Sequence, residues 1–78
     1  MVKTQHIDTA LLDEAIEKSG LRVGYIVEQL GISRQAFDKK RKGSYAFRQS
    51  EVYVLCDLLN LDSDRRMLIF FPEMSSYK

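Results

Sequence analysis

The tripeptide Gly31-Ile32-Ser33 restricts the possible folds of this chain more than any other feature. On its amino side, Val23 to Leu30 carries Ile26, Val27 and Leu30 at helical spacing, and on its carboxyl side a second helix is expected from Arg34 to about Lys42. Glycine readily takes the left-handed conformation that ends a helix. Ser33 is suited to begin the next one by accepting a backbone N–H. Two short helices joined this tightly must cross steeply, and the inside of their corner must be apolar. Ile26, Val27, Leu30, Ile32 and Phe37 supply that corner.

The rest of the chain repeats the helical theme. Leu11, Leu12, Ala15 and Ile16 line one face of a helix from about Thr9 to Ser19, with Asp8 as N-cap, Lys18 in the last turn and Gly20 as the stop. The helix from Val23 starts with a weak cap, Arg22, and contains Gly24, a weak helix former. After Gly43 and a loop through Ser44, Tyr45, Ala46 and Phe47, Val52, Leu55, Cys56 and Leu59 mark a fourth helix from about Gln49 to Leu59, with Asn60 at its end. Asp62 can cap a short fifth helix that runs through Met67 and Phe70 to Pro72. The expectation is a compact all-α domain of five helices over 1–78, with an ordered core at about 8–71 and short flexible termini.

At 78 residues the chain is one small domain, too short for a cleft between two domains. A chain of this size hides only about 60% of its surface on folding, so every apolar position counts. Its single cysteine can form no internal disulfide and belongs to no metal-ligand pattern. Core packing alone must hold the fold, as in intracellular proteins. No apolar run approaches the ~20 residues of a membrane span, and the amino terminus lacks a signal-like stretch. A cytoplasmic location without membrane contact is therefore expected.

The net charge of +1 conceals an uneven distribution. Residues 1–30 and 49–78 each carry −2, whereas residues 31–48 carry +5, with Arg34, Lys39, Lys40, Arg41, Lys42 and Arg48 against Asp38 alone. Such clustering is the electrostatic footprint of a polyanion site, although a solvated helix face gives the same pattern. With Phe37 turned inward, Ser33, Arg34, Gln35, Asp38, Lys39 and Lys42 fall along the outer side of the third helix. Nothing on that side asks to be buried.

The stretch Leu21-Arg22-Val23-Gly24-Tyr25-Ile26-Val27-Glu28-Gln29-Leu30-Gly31-Ile32-Ser33-Arg34-Gln35-Ala36-Phe37 resembles the helix-turn-helix of the lambda-repressor-like (Cro/CI, Xre-type) family. The likeness covers roughly residues 8–71, including Gly43 and Leu58-Leu59-Asn60-Leu61, and is greatest to short prophage-type transcriptional regulators. It implies a third helix lying in the major groove of double-stranded DNA, with the second crossing the phosphate backbone. By position, Arg34, Gln35 and Lys39 become base readers. Arg or Lys can bond guanine O6 and N7, and Gln can bond adenine N6 and N7. Asp38 suits a cytosine amino group, or a structural pairing with Lys42 or Arg41. Contacts that position the protein on phosphates are assigned to Arg22, Tyr25, Ser33, Lys40, Arg41, Lys42, Ser44, Tyr45 and Arg48. Ser33 can also serve as the cap alone. The family commonly has an apolar residue late in this helix, where Lys40-Arg41-Lys42 stands. One of those stems, Arg41 for preference, is expected to lie along the core with its charge outside.

Met67-Leu68-Ile69-Phe70-Phe71 is more apolar than one helix face requires. In one reading Leu68 and Phe71 close the core while the others stay half exposed. In the other, Ile69, Phe70 and Met74 form a self-association surface, since related regulators pair through this region. A homodimer would then meet half-sites of a palindromic operator one helical turn (~34 Å) apart.

Cys56 reads as a small core residue rather than a redox sensor. His6 stands alone, so no metal site is expected. Asp13, Glu14 and Glu17 look like a solvated face, and no nucleophile–base constellation is available. The chain is accordingly expected to be no enzyme, to need no cofactor and to carry no small-molecule effector site. The functional expectation is a sequence-specific transcriptional regulator, a repressor of phage, prophage or mobile-element type. The alternative is a protein-interaction module, antitoxin-like or inhibitor-like, that grips a partner through Ile69, Phe70 and Phe71 with DNA binding secondary.

Overall fold

The computed structural model describes residues 7–71 and contains, among them, five α-helices and no strand. They are α1 (Thr9–Ser19), α2 (Val23–Leu30), α3 (Arg34–Arg41), α4 (Gln49–Leu58) and α5 (Ser63–Phe70). Side-chain caps set three of the starts. Asp8, Ser33 and Asp62 accept from the backbone N–H groups of Leu11, Ala36 and Arg65 at 3.0, 3.0 and 2.8 Å. Each cap satisfies one of the amide groups that a helix start leaves without an intrahelical partner. Arg22 makes no side-chain cap for α2.

The stops follow the same local logic. Gly31 has φ 73°, so its N–H reaches the Glu28 carbonyl while the Ile32 N–H folds back to Val27 at 3.3 Å. This paired closure reverses the chain within two residues and delivers Ser33 to its capping position. Asn60 plays the corresponding part after α4 at φ 57°, with the Leu61 N–H on the Cys56 carbonyl at 2.9 Å. Helices α3 and α4 each end about one residue earlier than the sequence pattern predicts, within the ordinary ambiguity of a fraying last turn.

Helix α2 packs against α3 and α4, and α1 against α3 and α5. The Asp8 N–H donates to the Ile69 carbonyl at 2.8 Å, which ties the entry of α1 to α5. Between the helices lie Leu12, Ile26, Phe37, Leu55, Ile69 and Phe70, all fully enclosed. Leu11, Val27, Leu30 and Ile32 pack around this centre while remaining partly exposed.

Two core features depart from the sequence expectation. Phe47, in the α3–α4 loop, is only 6% exposed. Its ring stands edge-on to Phe37 at 6.3 Å and to Phe70 at 5.9 Å, so three aromatics join α3, the loop and α5. The second departure concerns α5. Ile69 and Phe70 are each 1% exposed, whereas Leu68 and Phe71 are 44% and 36% exposed. The assignment of Ile69 and Phe70 to a dimer interface is therefore corrected, because the chain's own core already covers them. The reading in which Leu68 and Phe71 close the core is reversed as well. Met74 and His6 lie outside the described residues. Among the described residues no helix is long and apolar enough to cross a membrane.

Candidate nucleic-acid interface

Helix α3 buries a single residue, Phe37, and this determines what the rest of the helix presents. Ser33, Arg34, Gln35 and Lys39 are exposed, and Asp38 is partly so. The Ser33 hydroxyl is engaged as the cap. One turn on, Arg34 Nε lies 3.5 Å from Asp38 Oδ1, an exposed i,i+4 pair. The structure thus pairs Asp38 with Arg34, not with the Lys42 or Arg41 that the sequence reading offered. An exposed pair of this kind contributes little to stability and leaves both groups available to a ligand.

Four successive cations, Lys39 to Lys42, meet four different surroundings. Lys39 Nζ stands 5.4 Å from the centre of the exposed Tyr45 ring. Lys40 turns inward, and its ammonium donates to both carboxylate oxygens of Glu51 at 2.7 and 3.0 Å. Their side chains are only 13% and 7% exposed, which takes Lys40 out of the set of groups that can reach a phosphate. The phosphate assignment of Lys40 is corrected on that ground. Arg41 lies over the Phe37 ring at 5.6 Å and donates from Nε to Asp13 at 3.1 Å, so its stem covers the core with its charge at the edge, as expected. Lys42 is exposed.

Tyr25 on α2, Arg22 just before it, and Ser44, Tyr45 and Arg48 beyond α3 are all exposed. A shallow groove between α1 and α3 brings Thr9 and Asp13 beside Arg34, Asp38, Arg41 and Lys42. The arrangement lowers the linear charge count. Of the six cations in 31–48, two face carboxylates contributed from outside that segment, Glu51 for Lys40 and Asp13 for Arg41.

Glu51 is the site residue that sequence reasoning missed. Besides Lys40, it accepts from the Arg48 N–H at 2.9 Å. Burial raises its carboxyl pKa, but hydrogen bonds from Lys40 and the Arg48 N–H, with the charges of Lys40 and Arg48, outweigh that and hold it below the ordinary 4.5. The available signal was its position three residues beyond Arg48, where a Glu can reach back to the amide that starts a helix. No comparable signal marked Asp13, which is 28 residues from its partner. Burial pushes the Cys56 thiol pKa up, against the opposing charge of Arg66.

Comparison with protein-family models, with curated proteins and with solved structures finds no match to the chain.

Proposed function

We propose that this chain is a sequence-specific double-stranded DNA-binding regulator of the lambda-repressor-like kind, with α2 and α3 acting as a helix-turn-helix. The observation that carries the reading is the outer side of α3. Arg34, Gln35, Asp38 and Lys39 project from a helix that begins immediately after the Gly31 turn and gives only Phe37 to the core. Arg, Lys and Gln at a helix start have the geometry to bond purine edges, and each good pairing is worth ~1–3 kcal/mol of discrimination. Arg22, Tyr25, Ser44, Tyr45, Lys42 and Arg48, all exposed, are assigned as phosphate contacts, which orient without reading sequence. A repressor bound as a homodimer to a palindromic operator in the cytoplasm completes the proposal.

Selection of bound sites from a random duplex pool, followed by a salt titration, tests it. The expected result is a defined site whose affinity falls steeply with salt, by about 0.9 in log–log slope for each phosphate neutralised. A flat salt response or no enriched site overturns the reading. Sedimentation of the complex on that site reads the stoichiometry, and a monomer on a palindromic duplex removes the dimer.

The protein-interaction reading draws on a different observation. Tyr53, Leu68 and Phe71 are exposed, and Tyr53 and Phe71 line a groove with Phe47, Gln49, Val52 and Arg66. It takes over if the salt response is flat.

A further inference from the structure

The loop between α3 and α4 carries Lys42, Ser44, Tyr45 and Arg48, the cations and hydrogen-bond donors placed beyond the reading helix. Exposed polar loops commonly fluctuate, and a ligand must then order them at an entropic cost. This loop is fastened at three points. Its start continues the last turn of α3, with the Gly43 N–H on Lys40 at 3.1 Å and the Ser44 N–H on Lys39 at 2.9 Å. Its middle is anchored by Phe47 between the rings of Phe37 and Phe70. Its end is held by Glu51, whose carboxylate takes the Lys40 ammonium through both oxygens and the Arg48 N–H through one.

The third anchor is the unusual one. A buried ion pair is a weak source of net stability, because desolvation offsets the attraction, and an apolar pair of similar volume often serves equally well. What the carboxylate adds is direction. One group on α4 fixes both a side chain near the end of α3 and the backbone where the loop finishes. We infer that Glu51 and Lys40 are positioning residues, which set the 42–48 loop in the conformation that brings Lys42, Ser44, Tyr45 and Arg48 onto DNA phosphates. The inference rests on the DNA-binding reading above and assigns Lys40 to work through Glu51 instead of touching DNA.

The test compares the full chain with Lys40→Met, Glu51→Met and the double variant. Each single change strands one buried charge and lowers the melting temperature. The double change removes both charges together and leaves only the Arg48 N–H without its acceptor, so it stays folded and melts above either single variant. In that folded double variant, the Ser44 and Tyr45 amides, which donate to the Lys39 carbonyl in the unaltered chain, are expected to exchange at least tenfold faster. The selected duplex binds about tenfold more weakly, and the salt slope flattens by one to two phosphate contacts at about 0.9 each. Base preference stays unchanged, because α3 still presents Arg34, Gln35, Asp38 and Lys39. A purely structural pair would leave the double variant with unaltered affinity and salt slope, which overturns the inference. Unchanged loop exchange, or a shift in base preference, overturns it too. An unaltered chain that binds no duplex removes the DNA reading and this inference with it, whereas the other outcomes remove the inference alone.

Discussion

Helices α3 and α5 are each eight residues long and are held in place by different forces. α5 is fixed by what it buries: Ile69 and Phe70 are enclosed, and its Ile69 carbonyl accepts from Asp8. α3 buries only Phe37 and is fixed at its margins, by the Ser33 cap, the Lys40–Glu51 pair and the Arg41–Asp13 pair. Side chains that hold a helix by its margins leave an entire side of it free of structural duty. Substitution on that side is expected to leave folding nearly unchanged, because nothing there is buried. α5 has no such freedom at its two buried positions, although Leu68 and Phe71 beside them are exposed.

The comparison is broken most directly at Phe70. Phe70→Ala is expected to cost about 3–5 kcal/mol of unfolding free energy in denaturant titration, through lost transfer energy and the cavity left behind. A loss below about 1 kcal/mol would mean that α5 is not held by burial.

Lys40→Met ranks next, at about 3 kcal/mol, because it strands a carboxylate that is almost fully enclosed. Acid gives the same contact a second test. The folded Glu51 pKa lies below its ordinary value, so its contribution is fully present above about 4.5 and is lost as pH falls through the lowered value. Stability measured by urea titration down to pH 3 is expected to drop more for the unaltered chain than for the Lys40→Met/Glu51→Met variant.

On the free side of α3, Gln35→Ala is expected to leave stability within about 0.5 kcal/mol. It should also remove ~1–3 kcal/mol of discrimination at one base pair of the selected site. A stability loss larger than that would show that α3 has no free side.

Gly31→Ala tests the turn that aims α3. A Cβ there meets nothing within 4 Å, so the cost is that of the left-handed backbone alone, about 1–2 kcal/mol. Leu68→Ser completes the series with the smallest effect, within about 0.5 kcal/mol of the unaltered chain, since it sits on the exposed side of α5.

Much of this molecule was legible before any tertiary contact was known. The caps at Asp8, Ser33 and Asp62 and the turn at Gly31 are recognisable in the chain because each depends on groups three to five residues apart. The polar outer side of α3 follows from the same short-range geometry once Phe37 is turned inward. That one stem of Lys40-Arg41-Lys42 would lie along the core was readable, with Arg41 the preferred candidate, although its partner Asp13 was not.

The apolar run of α5 resisted the same treatment. Consecutive residues cover so much of a short helix that periodicity cannot say which side faces in. Only the position of Phe47 and the docking of α1 through Asp8 select Ile69 and Phe70. Phe47 itself stands in a loop with no period to read.

The amino-acid sequence alone determines the five helices, the caps at Asp8, Ser33 and Asp62, the tight α2–α3 turn and the concentration of positive charge in 31–48, because these are properties of neighbouring residues. The tertiary structure alone decides which of those charges remain at the surface. Lys40 and Arg41 find their partners 11 and 28 residues away, at Glu51 and Asp13. Adjacent residues on a helix point about 100° apart, so a run of four cations that is uniform in the sequence is divided by its long-range neighbours into groups that hold the fold and groups left to meet a ligand.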